Sequence, residues 1–341
     1  MFRWLLSALL LLGIGGVLVF GWARHALEQP LPLPAAAYVI DIPPGSSFKS
    51  VVQRLSQDGL LRHQRLFEWY ARINGQHTRI RAGEYAVMPG TTAPELIEQL
   101  VAGRVLLHPV TLVEGWTVAE MLAALRRHPV VRTTLEVTDP VPLAAALGLD
   151  FPNAEGLFLP DTYLVPRGTT DVEVLLRAHR LLLRLVDELW SSRDEQLPLA
   201  DPYELLILAS IIERETALDS ERNRVAGVFV RRLQRGMRLQ TDPTVIYGLG
   251  PDYHGVLTRS QLSRDTPWNT YTRDGLPPTP IALPGAASLR AALAPDDSDA
   301  LFFVATGHPD GSHEFTATLE AHNAAVRRYR QRLRERERER Q

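Results

Sequence analysis

The 341-residue chain has no cysteine, and Lys49 is its single lysine; every other basic side chain apart from histidine is arginine. Without a thiol there are no disulfides, thiolate zinc sites, cysteine nucleophile or lipid attachment through an N-terminal cysteine. No HExxH occurs, and the ten histidines are scattered. The closest pair, His308 and His313, lies in a Gly/Pro/Asp stretch that reads as a turn rather than a metal site. A charge excess is also missing. The formal net charge is -2, so nothing marks the whole chain as a nucleic-acid binder. What remains is the composition of an ordinary folded protein, long enough for two domains plus connections.

One stretch lacks charge altogether. Trp4 to Trp22, WLLSALLLLGIGGVLVFGW, runs for 19 residues without an ionisable side chain. As a helix it spans roughly 28 Å, the thickness of a bilayer's hydrocarbon layer. Tryptophan at each end suits the two interfaces. The apolar region is long for a signal peptide and no clear A-x-A cleavage site follows it, so an uncleaved anchor is expected. Arg3 precedes the span and Arg24 follows it, a weak bias for orientation. The expected organisation is a short cytoplasmic segment (1–3), a transmembrane helix (4–22) and a linker (23–37) containing the Pro-rich EQPLPLPAAA. That linker reads as a stiff spacer holding the body off the membrane.

Three stretches then share a pattern: PGSSFKSVVQRL (44–55), PGTTAPELIEQL (89–100) and EGWTVAEMLAAL (114–125). Each places Ser or Thr two residues after a glycine and closes an apolar helical stripe on Leu. Ser47, Thr92 and Thr117 are N-cap candidates, and Glu95 and Glu120 stand at capping-box spacing from the two threonines. A short extended run precedes each one, so the unit is strand, glycine turn, amphipathic helix. The first two units form an α/β module over 38–106 that resembles the lysin-motif fold, a small glycan-binding module. A structural spacer domain is the competing reading. A connecting α/β segment (107–165) follows.

Near the middle stands ELLILASIIERET. Seven of the eight residues 205–212 are apolar, and carboxylates follow at Glu213 and Glu215. Asp201-Pro202-Tyr203-Glu204 starts this helix, with an acceptor at the N-cap, Pro at N1 and a carboxylate at N3. Its apolar residues cover nearly the whole circumference, which places the helix at the centre of its domain. A second helix is expected from about Ser220 to Gly236. Residues two apart on a helix differ by about 200°, so the two acids face opposite ways. Glu215 extends the stripe of Leu208, Ile211 and Ile212, whereas Glu213 follows Leu206, Ala209 and Ser210. A carboxyl on the bulkier stripe is desolvated, and its pKa rises as a general acid near neutrality requires. Glu213 suits a structural arginine partner. Solvated charges at a helix end are the plainer alternative for both.

The block ASIIERET…SERNRVAGVFVRRLQRGMRLQTDPTVIYGLG (209–250) resembles the endolytic murein transglycosylase family, also called YceG-like. EGLFLPDTY (155–163), NTYTRDGLPPTPIALPG (269–285) and FFVATGHPDGSHEFTATLEAHN (302–323) agree, as does the order of anchor, spacer and lysin-like module. The resemblance implies an α+β protein: a transmembrane helix, the small module and a mainly helical, lysozyme-like catalytic domain over 166–325. It also implies a single-pass protein of the bacterial inner membrane with its body in the periplasm. The activity implied is lytic cleavage of the β-1,4 bond between N-acetylmuramic acid and N-acetylglucosamine within glycan strands, leaving 1,6-anhydro ends. Such enzymes resemble goose-type lysozymes and soluble lytic transglycosylases, whose catalytic Glu is followed by Ser; the corresponding dipeptide here is Glu215-Thr216, with Glu213 the runner-up. Gln240, Thr241, Asp242, Asn269 and Tyr271 are expected to line the substrate cleft. Asp242-Pro243 equally fits a turn or helix start. No metal or organic cofactor is implied, and peptidoglycan synthases are the protein partners the family's role suggests. The charged tail (326–341) reads as a solvated terminus rather than a nucleic-acid binder. Two rival readings stay open, a lysozyme-type hydrolase and a non-catalytic, membrane-anchored glycan-binding scaffold.

Overall fold

The computed structural model describes residues 2–339. Its contacts divide the chain into two compact units. One holds residues up to 109 plus 164–168, and the other holds 110–163 and everything from 169 onward. The fold is mixed α/β, with one apolar N-terminal helix and a largely helical second unit.

In the first unit, α1 (Phe2–Glu28) carries the uncharged stretch. Among the described residues it is the one helix long and apolar enough to cross a membrane. Strand β1 (Tyr38–Ile42) leads into α2 (Phe48–Gln57), then α3 (Gln64–Ile73), β2 (Gly83–Val87) and α4 (Ala93–Ala102). β1 and β2 pair antiparallel with Ile40 opposite Tyr85. Their inward residues close with Val52, Phe67, Leu96 and Leu100 into one core. The repeated units form as their sequences dictate. Gly45, Gly90 and Gly115 all adopt the left-handed φ that a turn between strand and helix requires. Ser47, Thr92 and Thr117 each accept the backbone N–H three residues on, and the last two complete capping boxes.

The linker differs from the stand-off spacer its prolines suggest. Leu27, Leu31 and Leu33 pack against the module's core, and the Leu31 amide donates to the Thr91 carbonyl at 2.8 Å. Proline stiffens this segment, but its interleaved leucines give it apolar surface to bury, and burial prevails. The chain leaves the unit along β3 (Leu107–Leu112) and returns along β4 (Asp161–Pro166), its partner in a two-stranded sheet.

The second unit contains α5 (Val118–Arg127), α6 (Pro140–Leu147), α7 (Asp171–Ser191), α8 (Pro202–Glu215), α9 (Arg222–Gln234), α10 (Asp242–Leu249), α11 (Arg259–Ser263) and α12 (Ala286–Leu293). A hairpin of β5 (Phe302–Ala305) and β6 (His313–Thr316) follows, and α13 (Leu319–Glu339) ends the described chain. The segment 110–163 belongs to this unit. Helix α8 is its axis, for every residue from Leu205 to Ile212 is buried. Asp201 caps it by accepting the Glu204 amide at 2.9 Å, with Pro202 in the first turn. Such a helix ends where its last turn meets polar groups. That end is where the two glutamates emerge.

Candidate active site

Glu213 and Glu215 leave the last turn of α8 in opposite directions. Glu213 accepts the Gly285 amide at 2.9 Å and faces the buried Arg222 guanidinium at 3.9 Å. Arg222, at the start of α9, is also held by Asp219 in the turn before it. Glu213 thus ties α8 to α9 and to the loop before α12.

Glu215 opens onto a cleft of about 440 Å³ whose walls come from α9, the start of α10, the loop carrying Tyr271, the β5–β6 hairpin and α13. Burial pushes its carboxyl up from 4.5 to about 7. The Thr241 hydroxyl opposes that rise by donating to Oε1 at 2.5 Å. Asp242 adds repulsion, while His313 and Arg232 pull the pKa back down. A carboxyl held near neutrality passes between acid and base forms at little cost, as general acid–base catalysis requires.

The other predicted residues divide by what their polar atoms do. Gln240 lines the cleft with its backbone at φ 51, the only non-glycine left-handed conformation among the described residues. A residue with a Cβ is strained there, and such strain gathers at functional sites. Thr241 is 1% exposed and engages Glu215 from behind. Asp242 and Tyr271 both line the cleft and bond each other, the phenol donating to the carboxylate at 2.6 Å. Burial and that neighbouring anion raise the Tyr271 pKa and keep the phenol protonated. Asn269 is fully buried. Its amide donates to the Leu262 and Arg264 carbonyls, and its oxygen accepts the Tyr271 amide. It shapes the loop and does not reach the cleft.

Several cleft residues escaped the sequence reading. Arg232 lies buried with its guanidinium donating to the Leu239 and Leu301 carbonyls, each at 2.7 Å. His313, expected in a turn, opens strand β6 and enters the cleft. Glu221 grips it twice, accepting its backbone N–H at 2.8 Å and lying 2.7 Å from its Nδ1. Phe302 and Phe303 add apolar wall, and His322 stacks on Phe302 with ring centroids 5.2 Å apart. The contacts that matter join residues as far as 92 positions apart, so local pattern carries no trace of them. Among the described residues no cluster of His, Cys, Asp or Glu is arranged to hold a metal ion.

A second raised carboxyl lies sealed away from this cleft. Glu155 is 2% exposed and is pushed up to about 7 by burial. It accepts the Val118 amide at 2.9 Å and the Tyr247 hydroxyl at 3.0 Å, joining α5 to α10.

Comparison with known proteins agrees with this architecture. The YceG-like family model matches residues 40–328. The endolytic murein transglycosylase of Bacillus subtilis (strain 168) is 30% identical over 334 residues, covering 93% of this chain and 91% of its own. That of Streptococcus pneumoniae serotype 2 (strain D39 / NCTC 7466) is 28% identical over 87% of this chain, which spans only 59% of that longer protein. A crystal structure of a yceG-like protein from Listeria monocytogenes superposes with a TM-score of 0.52 at 26% identity. It covers 85% of this chain and 99% of its own. With the family model spanning most of the sequence, this chain belongs to the YceG-like family of endolytic murein transglycosylases.

Proposed function

We propose that this chain cleaves the β-1,4 bond between N-acetylmuramic acid and N-acetylglucosamine inside peptidoglycan strands, with Glu215 as its single acid/base and 1,6-anhydro-muramic acid as the new end. The observation that carries the reading is the Glu215 carboxyl, held near pKa 7 at a cleft. Protonated Glu215 gives its proton to the glycosidic oxygen as the C1–O bond breaks. The resulting carboxylate then takes the proton of the muramic C6 hydroxyl, whose oxygen bonds to C1. No water enters the balance, because the nucleophile belongs to the substrate and proximity replaces its activation.

In this reading Thr241 tunes the acid, Gln240, Asp242 and Tyr271 meet the sugar, and Asn269 holds their loop. The second unit acts as a lysozyme-like catalytic domain. The 38–106 module acts as a lysin-motif-like glycan contact, and α1 holds both units in the inner membrane on its periplasmic side. Active-site architecture favours lysis over hydrolysis, since an ordinary glycosidase needs a second carboxylate at a set separation. Tyr271 already engages the nearest candidate, Asp242.

Product mass tests the proposal. Digestion of uncrosslinked strands by the full-length protein is expected to yield internal fragments lighter than hydrolysis products by one water, roughly 18 Da from the ring closure. Reducing ends as the main product would mean a hydrolase with a second carboxylate still to be identified, and Asp242 would be the first to substitute.

A further inference from the structure

A cleft of about 970 Å³ in the first unit lies outside the site described above, between the end of α1 and helix α3. It is built by helical spacing. Phe67 and Ala71 of α3 are buried in the module's core. Leu66, Trp69 and Ile73 lie on another face and line the cleft, and Tyr70 beside them also packs on the core. Trp69 is 64% exposed and Ile73 75%, an outlay of apolar surface that a water-facing helix has no reason to make.

The other wall is α1 itself. Phe20 and Trp22 line it, and the Trp22 ring meets the His63 ring, beside the start of α3, at 5.3 Å. Trp22 ends the uncharged span and so lies at the membrane interface of a spanning helix. Helix α1 runs unbroken past that point to Glu28, and Leu27 packs on the module. Both walls of the cleft belong to the same compact unit. The exposed arginines Arg24 and Arg65 border the cleft, Arg24 being paired with Glu28 at 2.8 Å. An apolar floor rimmed by Arg65 and the Arg24–Glu28 pair, continuous with a transmembrane helix, matches lipid acyl chains beneath polar headgroups.

We propose that this cleft seats the bilayer surface through which α1 emerges, with Trp69 and Ile73 immersed at the headgroup boundary. The first unit then lies on the membrane instead of standing off it. The proposal rests on α1 spanning a membrane, and the test separates the two claims.

Because the chain lacks cysteine, single cysteines report without further engineering. Full-length W69C, I73C and K49C proteins, each labelled with bimane, would be reconstituted into phosphatidylethanolamine/phosphatidylglycerol vesicles with brominated acyl chains. Lys49 is the control, because Phe48 of its helix stacks on Phe67, on the far face of α3. Quenching by brominated lipid is expected to be several-fold stronger at 69 and 73 than at 49, with the reverse order for aqueous iodide. In the I73C reporter, adding Trp69→Ser should lower the docked-to-undocked ratio by about 10-fold, the scale for losing one large buried apolar side chain. Equal lipid quenching at all three positions in protein that still floats with vesicles and resists carbonate overturns docking alone. Failure to float overturns the anchor and the docking together. Iodide protection at 69 and 73 that rises with protein density at fixed lipid would assign the cleft to a second copy, and protection that needs an added membrane protein would assign it to that partner; either overturns the proposal.

Discussion

The two sides of the last turn of α8 differ by two residues and by nearly everything else. On one side Glu213 meets an amide and a guanidinium that suit its charge. On the other Glu215 meets a threonine hydroxyl, an aspartate and a cleft, and its carboxyl rises to about 7. Both acids leave one buried helix, so burial of the helix does not distinguish them. Their partners do. A carboxylate given a cation is structural, and one denied a full partner keeps its proton available.

Breaking that contrast should have its largest effect at Glu215. Glu215→Gln keeps the shape and an acceptor for Thr241 but carries no transferable proton. Turnover of isolated glycan strands should fall at least about 100-fold, with the folded state intact by circular dichroism. If Glu213→Gln abolishes turnover while Glu215→Gln retains it, the roles of the two sides are exchanged.

Glu213→Gln is expected to act on stability instead. It leaves the Arg222 cation facing a neutral amide and should cost about 2 kcal/mol by denaturant titration, with turnover per folded molecule within about 10-fold of the parent. Equal losses of stability from both substitutions would erase the distinction.

The pH dependence sharpens it further. Glu215 and Glu155 bind their protons more tightly folded, at about 7, than at their ordinary value of 4.5. Their contribution is therefore fully present below pH 4.5 and lost as pH rises through 7. Each should remove about 1–3 kcal/mol between pH 4.5 and 8. Glu215→Gln should flatten that decline by its own share, measured as unfolding midpoints across pH. Turnover should fall above about pH 7, where the acid loses its proton. An unchanged stability slope in the variant would mean that Glu215 is not desolvated.

The smallest effect belongs to Thr241→Val. Losing the donor to Oε1 removes an influence that holds the carboxyl down, so the alkaline edge of activity should move up, by up to about one pH unit. A downward shift would reverse the role assigned to that hydroxyl.

Much of this was legible in the chain because it depends on near neighbours. The capping threonines, the glycine turns, the Asp201-Pro202 start and the opposed faces of Glu213 and Glu215 all follow from spacings of seven residues or fewer. The α9 helix begins at Arg222, two residues later than Ser220 suggests, because a turn of 3-10 helix (Asp219–Glu221) comes first. Glu221 and His313 were out of reach, since their union depends on the β5–β6 hairpin packing beside α9. Asn269 has the right chemistry for a sugar contact but is drawn inward by the Leu262 and Arg264 carbonyls. The prolines before β1 suggested a spacer, and the leucines between them prevailed.

The strained backbone at Gln240 has a mechanical consequence. From that turn the Gln240 amide donates to the Thr270 carbonyl at 3.2 Å, and the Thr241 amide and Thr244 hydroxyl both reach the Thr270 hydroxyl. Tyr271, next along, grips Asp242. The start of α10 and the tyrosine loop are therefore tied into one hydrogen-bonded piece. Displacing that piece would carry Thr241 with it and take away the hydroxyl bonded to the Glu215 carboxyl. Anything that shifts this piece would thereby also reset the acid, because that hydroxyl holds its pKa down.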